Sequence, residues 1–156
     1  MRGHRPVLKR VTKERRVLST AVGLTISGRI YKRHFDKAID GAGVVAALEH
    51  IGRHVGSPWI LIWDGAPIHR SHVVQEHLAH HREIIVEWLP PYAPEINPEE
   101  YCHGNVKEHL KNATPASRDE LQALVDRGFA RLRQRPDLLL SFIRHAGLAV
   151  NQLWLN

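Results

Sequence analysis

The sequence predicts an α/β fold built on a mixed sheet flanked by helices, and three observations carry that expectation. Residues 17–25, Val-Leu-Ser-Thr-Ala-Val-Gly-Leu-Thr, are β-branched and small; beyond the Ser27-Gly28 turn signal, Arg29–Phe35 alternates Ile30, Lys32 and His34 against Tyr31, Arg33 and Phe35. That is the pattern of a β-hairpin. Trp59-Ile60-Leu61-Ile62-Trp63 is a short continuous apolar run, which fits a strand covered on both faces. A helical segment separates it from a second such run, Ile84–Leu89. Strand–helix–strand order predicts a parallel pair joined by a right-handed crossover.

The remaining elements follow in order. Between the hairpin and Trp59, apolar Val44, Ala47, Leu48, Ile51 and Val55 recur at helical spacing. Ser71 is placed to cap a helix running to about His80. The loop Pro90–Pro98 holds four prolines in nine residues and is stiff by composition. Asn97-Pro98 then opens a helix, with Asn as N-cap, Pro at the first helical position and Glu99 and Glu100 in the first turn. That helix is expected to reach about Lys111. Two more are expected near Pro115–Arg133 and Asp137–His145, where Leu121, Leu124, Val125, Phe129 and Leu132 read as core.

At 156 residues and 43% hydrophobic content the chain has the length of one domain with a real core. Its net charge is +6, but the distribution is uneven: residues 1–37 hold eleven Lys and Arg against Glu14 and Asp36, a surplus of nine, which leaves the remainder at −3. Such a segment suits a polyanion, because neutralised phosphates release counterions; its alternative reading is a solvated tail. One cysteine, Cys102, excludes an internal disulfide and any cysteine-rich zinc site. No apolar run has the length of a membrane span, and the expected setting is reducing and cytoplasmic. His77, His80 and His81 fall at helical spacing, which allows a zinc site but more often marks a solvated helix face.

Two acids stand where chemistry collects in α/β proteins, just beyond the carboxyl ends of strands. Asp64 ends the first apolar strand, and Glu100 follows the second. Each has a bland reading: Asp64-Gly65 is a turn pair, and Glu100 is placed to close a capping box with Asn97. Taken together, they can converge on one edge of the sheet. Carboxylates brought close raise each other's pKa unless a cation neutralises them. Hard oxygen donors suit Mg2+ or Mn2+, which keep waters and bind through few carboxylates plus substrate phosphate. Two such ions about 4 Å apart activate water and stabilise the leaving oxygen in phosphodiester cleavage. A site of this kind wants a third carboxylate.

Trp63-Asp64-Gly65-Ala66-Pro67-Ile68-His69 resembles the "Asp-Asn-Ala-x-x-His" signature of DDE superfamily endonucleases, specifically bacterial insertion-sequence transposases of the mariner-like branch. Leu89-Pro90-Pro91-Tyr92-Ala93-Pro94-Glu95-Ile96-Asn97-Pro98-Glu99-Glu100-Tyr101 resembles that family's "Leu-Pro-Pro-Tyr-Ser-Pro-x-Leu-Asn-Pro-x-Glu" block, and the 35 residues between Asp64 and Glu100 fit its usual separation. Arg5-Pro6-Val7 is similar to the "Gly-x-x-Pro-Val" that opens its second segment. The likeness runs to about residue 112. It implies a ribonuclease H-like fold, Mg2+ or Mn2+, and DNA hydrolysis followed by strand transfer at transposon ends. By position it makes Asp64 the second acidic residue and Glu100, not Glu99, the third. His69 becomes a site-support or DNA-contacting residue, and Asn97 a support. The implied partners are transposon-end and target DNA, with an upstream transposase fragment or a second copy, in the bacterial nucleoid.

The family's first Asp lies on a strand ahead of the point where this chain begins, and Asp36 and Asp40 follow the second hairpin strand, in the wrong position for that role. The expectation is therefore an N-terminally incomplete domain over 1–156: a basic segment 1–16, a motif-bearing core 17–112 and C-terminal helices 113–156. It lacks the central strand between the hairpin and Trp59–Trp63. Such a loss leaves backbone groups on two inner strands to be covered or paired; the stretch Pro6–Val11 is placed to fill the gap but brings no acid. Gly65 replaces the family's Asn, and Cys102-His103 stands where the family prefers an apolar residue and Trp. Losing a buried aromatic costs a few kcal/mol. Three readings follow: a catalytic half whose first segment is encoded separately, a DNA-binding but cleavage-dead remnant, and an unrelated α/β domain whose carboxylates are caps. The long proline-rich block disfavours the third.

Phosphate contacts are assigned to Arg2, Arg5, Lys9, Arg10, Lys13, Arg15 and Arg16, with Lys107 and Lys111. DNA binding is therefore expected to be weak and to fall steeply as salt rises. A filter-binding titration against ionic strength checks this, and salt-insensitive binding would count against the assignment.

Overall fold

The structure, a computed structural model, describes residues 18–148. The hairpin forms from β1 (Ser19–Leu24) and β2 (Ile30–Phe35), antiparallel in a register that pairs Ser19 with Phe35 and Leu24 with Ile30. Its turn needs Gly28, whose φ of 75° is a left-handed conformation that a side chain disfavours. Gly28 N donates to Thr25 O at 2.9 Å, and Thr25 N to Arg29 O at 2.9 Å, closing the loop. Alternation then sends Val22, Leu24 and Ile30 to one side, where they join a core with Cys102, Val106, Phe129, Leu132 and Leu139.

Helix α1 (Gly41–Val55) begins at Asp40, whose Oδ1 accepts from Gly43 N at 2.9 Å. Asp36 pairs with Arg118. Both acids that follow the hairpin thus have structural partners. Strand β3 (Trp59–Trp63) runs parallel to β4 (Ile84–Trp88), in register from Trp59 with Ile84 to Trp63 with Trp88. A 3-10 turn over Pro67–Arg70 and helix α2 (His72–His80) make the crossover. Ser71 precedes α2 as expected, yet its hydroxyl makes no cap bond and is buried without a partner. Helix α3 (Pro98–His109) starts at Asn97, and α5 spans Pro136–His145. Helix α4 (Arg118–Arg133) begins three residues later than expected, because Ser117 Oγ accepts from Glu120 N at 3.1 Å and sets the start there.

Among the described residues β1–β2 and β3–β4 are separate two-stranded sheets with no strand bridging them, so the mixed sheet is not continuous. One expectation fails. The apolar run on β3 was expected to be covered on both faces. Trp59, Leu61 and Trp63 pack with Val44, Leu48 and Val74 of α1 and α2, but Ile60 is 53% and Ile62 45% exposed on the other face. Ile85 of β4 is likewise 49% exposed. The α/β class holds, and the core is split in two: α3, α4 and α5 against the hairpin, α1 and α2 against β3–β4. Helix α1 also reaches the hairpin, where Tyr31 stacks on His54 with ring centroids 5.2 Å apart.

Polar contacts fasten α4 to β1–β2. Asp126 accepts from Lys32 and, at 2.9 Å, shares a hydrogen bond with His34 Nε2, while His34 Nδ1 meets Thr20 Oγ1 at 2.8 Å. Burial pushes the Asp126 carboxyl up, but the hydrogen bonds and charges of Lys32 and His34 outweigh it and hold the group below its ordinary value. Lys37 pairs with Asp40, and the Arg33 guanidinium lies 5.7 Å from the Phe35 ring. Among the described residues, no helix is long and apolar enough to cross a membrane. The basic residues Arg2, Arg5, Lys9, Arg10, Lys13, Arg15 and Arg16 and the stretch Pro6–Val11 lie outside the described residues, as do residues 149–156.

Close approach of α3 and α4 depends on Gly128. A Cβ there would sit 2.9 Å from Val106 Cγ1, and valine has little freedom to move. Gly128→Ala gains about 1 kcal/mol of helix propensity but incurs an overpacking cost of about 1–3 kcal/mol. The variant is expected to melt below the parent in a thermal unfolding experiment. A higher melting temperature would show that the helices have room to separate.

Candidate active site

Asp64 follows the last residue of β3, where the parallel ladder ends with Leu89 N donating to Trp63 O at 2.8 Å. Its turn role is real: Oδ1 accepts from Ala66 N at 3.0 Å. The carboxylate is also held by His69, whose Nδ1 lies 2.8 Å from Asp64 Oδ1 and 3.0 Å from the Asp64 carbonyl. Both partners of Nδ1 are acceptors, so that nitrogen carries the proton and Nε2 is left to meet a ligand. The His69 ring stacks on Trp63 at 4.2 Å, nearly parallel, and Trp63 stacks on Trp88 at 5.8 Å. The 3-10 turn thus fixes an imidazole against an indole. Asp64 Oδ2 has no partner among the described residues, and the side chain is about half exposed.

Helix α3 supplies the second acid. Asn97 Oδ1 accepts from Glu99 N at 3.2 Å, so the N-cap forms as the sequence indicates. The capping box does not, because Asn97 N donates instead to Pro94 O at 3.0 Å. The exposed Glu100 carboxylate is therefore free of hydrogen bonds and ion pairs among the described residues. Glu99 is committed: its Oε1 meets His103 Nε2 at 2.8 Å, one helical turn on. Tyr101 Oη donates to Glu95 O at 2.7 Å and pins the proline-rich loop to the helix.

A cleft of about 760 Å3 lies between β1 and β3. Asp64, His69, Asn97 and Glu99 all line it. Glu100 does not, so the structure brings three of the four proposed site residues to the cleft and leaves the fourth beside it. Lys107 stands in the last turn of α3, about 10 Å along the axis from Glu100 at 1.5 Å per residue; Lys111 lies beyond the helix end and pairs with Glu108 at 3.3 Å. Two neighbours escaped the sequence reading. Arg70 lies 4.5 Å from the Trp88 ring and 3.1 Å from where a Cβ on Gly65 would sit, so Gly65 leaves space for that guanidinium. Tyr92 is fully exposed with a φ of 59°, a conformation costly for an aromatic residue. Its place between Pro91 and Pro94 was the available signal. The two departures noted in α3 now have settings: Cys102 is wholly buried, and His103 packs edge-on to Phe129 at 6.1 Å.

Oxygen donors of this kind fit a hard divalent cation, which needs only one or two carboxylates when phosphate completes the shell. Among the described residues no cluster of three or more His, Cys, Asp or Glu is placed to hold a metal alone. The helical histidines are separately engaged: His80 Nδ1 meets Glu76 O, His81 Nδ1 meets Glu83, and burial lowers the His77 pKa, with His81 adding to the effect.

Against this geometry, residues 1–122 match the pattern of the DDE superfamily endonucleases. The chain belongs to that family. The match spans Asp64, Glu100 and the cleft, and it ends just inside α4. The family is one of transposase-type nucleases that act on DNA and generally use divalent metals. No curated protein matches the chain.

Cys102 sits in this helix between the acids and Val106. Burial, with the Glu99 charge adding, pushes its thiol up to about 12. Only the thiolate is nucleophilic, so the native protein is expected to resist a disulfide reagent at pH 8 and to react on unfolding in guanidinium. Native labelling as fast as unfolded labelling would show that α3 opens readily.

Proposed function

We propose that the chain is the catalytic domain of a bacterial insertion-sequence transposase of the mariner-like branch, ribonuclease H-like in fold. In this reading Asp64 and Glu100 hold Mg2+ or Mn2+ against a DNA phosphate. The observation that carries it is the pair of uncommitted carboxylate groups, Asp64 Oδ2 and the whole Glu100 carboxylate, set at the end of β3 and the start of α3 within the matched region. Bound there, the metal supplies activated water and stabilises the leaving oxygen during cleavage at transposon ends.

The residues have separate tasks. Asp64 is oriented by Ala66 N and His69, which leaves Oδ2 turned to a ligand role. His69 offers Nε2 to DNA or to a water, and its stacking on Trp63 keeps the ring from swinging. Asn97 sets the start of α3 and so the position of both glutamates. Backbone N–H groups of that first turn also favour anionic phosphate. Arg2, Arg5, Lys9, Arg10, Lys13, Arg15, Arg16, Lys107 and Lys111 neutralise the DNA backbone. The first carboxylate of the site comes from outside residues 18–148, from an upstream transposase fragment or a second copy. The chain alone is then inactive. A cleavage-dead remnant that only binds DNA is the second reading, favoured by the lack of a three-ligand cluster among the described residues.

Manganese binding measured by electron paramagnetic resonance in the presence of transposon-end or generic duplex DNA tests the assignment. Asp64→Asn and Glu100→Gln are each expected to weaken it tenfold or more, while Glu99→Gln leaves it within about twofold. Loss with Glu99→Gln but not Glu100→Gln would move the second ligand to Glu99. Cleavage by the chain alone, abolished by Asp64→Asn, would overturn the view that the site needs a further carboxylate.

A further inference from the structure

Arg70 carries a charge that no acid answers. Among the described residues its exposed side chain makes no ion pair and no hydrogen bond. Its place is nevertheless fixed. The guanidinium carbon lies 4.5 Å from the centre of the Trp88 ring, and Trp88 stacks in turn on Trp63, which carries His69. The guanidinium also borders the Asp64 turn. The three heavy atoms nearest to a Cβ on Gly65 would all belong to it, at 3.1, 3.6 and 3.8 Å. Two indoles and a glycine thus hold an imidazole and a guanidinium at the same turn.

Stacking on an aromatic ring occupies the flat of a guanidinium and leaves its in-plane N–H groups free. Those groups form the fork that matches two oxygens of a phosphate. Pairing with the neighbouring acid is not what keeps the arginine there, since Asp64 Oδ1 is taken by His69 and Ala66 N, and Oδ2 has no partner among the described residues. A positive charge kept beside that turn, and not neutralised by it, opposes a cation at the free oxygen. An anion shared by the two removes the conflict.

We propose that Arg70 binds a DNA phosphate at the Asp64 turn, and that Gly65 is the residue that makes room for it. The proposal rests on the reading of Asp64 as a metal ligand in a DNA nuclease, and it adds a coupling to that reading. The phosphate is held from two directions, by the cation at Asp64 and by the guanidinium, so metal and DNA each tighten the binding of the other. Gly65 then has a physical reason. The motif that this turn resembles carries Asn there, and a side chain at 65 would press the guanidinium off the Trp88 ring.

The test measures Mn2+ binding to the full chain by electron paramagnetic resonance, with and without a generic DNA duplex, and duplex affinity against salt. Without DNA, Arg70→Ala is expected to bind Mn2+ at least as tightly as the parent, because an opposing charge is gone. With duplex present the order reverses, and the variant binds Mn2+ about fivefold or more weakly. Its duplex affinity also falls, and the slope of log affinity against log salt drops by about one, the loss of a single phosphate contact. Arg70→Lys is expected to keep that slope but bind the duplex less tightly, having lost the fork. Gly65→Asn, with Arg70 intact, is expected to behave as Arg70→Ala does.

Arg82→Ala removes an exposed arginine at the other end of β4 and is expected to leave the coupling as in the parent. Equal loss of coupling in Arg82→Ala would overturn the proposal. So would Mn2+ binding that weakens in Arg70→Ala both with and without DNA, the mark of a structural role. Duplex binding that is salt-dependent in the parent and unchanged in Arg70→Ala would overturn the proposal and leave the nuclease reading standing, whereas a parent that binds no duplex would sink both. Inorganic phosphate in place of the duplex separates the two sources of the anion, and coupling with it alone would overturn the assignment to DNA.

Discussion

Parallel pairing of β3 with β4 is the interaction on which the rest of the structure depends. The register from Trp59–Ile84 to Trp63–Trp88 brings the two strand ends level, so that the Asp64 turn and the loop leading to α3 leave the sheet on the same edge. Everything chemical lies just past that edge. Were the register shifted by one residue, Trp63 would lose its place beneath His69 and the apolar set of β3 would change faces. The Asp64 carboxylate would then lose the imidazole that orients it.

Two half-cores share the load on either side of the open cleft. The hairpin is buried by α3, α4 and α5, with Phe129, Leu132 and Leu139 almost or wholly inaccessible, while β3–β4 has α1 and α2 on one face only. Helix α1 spans the gap, touching Gly23 through Ile51 and Tyr31 through His54 while its other residues meet Trp63. Among the described residues the two sheets are not bonded to each other, and the cleft between them leaves Asp64 accessible.

Within the site, commitment separates acids that look alike in sequence. Asp36, Asp40, Glu99 and Asp126 each have a cationic or imidazole partner, and Glu120 accepts from a backbone N–H. Among the described residues Glu100 and one oxygen of Asp64 do not, and neither do the side chains of Glu49, Glu87, Glu95 and Asp119; what sets the first two apart is their place at the start of α3 and the end of β3. The region matched to the DDE superfamily endonucleases contains both groups.

Local chemistry determined most of the elements. The Gly28 turn, the Asn97-Pro98 helix start, the apolar periods of α1 and the two buried-type runs are short-range signals, and the strands and helices form at those places because the residues leave few alternatives. The placement of Asp64 at a strand end and of Glu100 at a helix start was legible too, since both are written in neighbouring residues. Tertiary structure alone decided how those elements associate. Whether two sheets join depends on backbone hydrogen bonds between segments distant in sequence, and no periodicity records an absent neighbour. So the run Trp59–Trp63 announced cover on two faces and received it on one. The same holds for Glu99 and Glu100: adjacent in sequence, they were told apart by His103, which one helical turn brings to the first and not to the second.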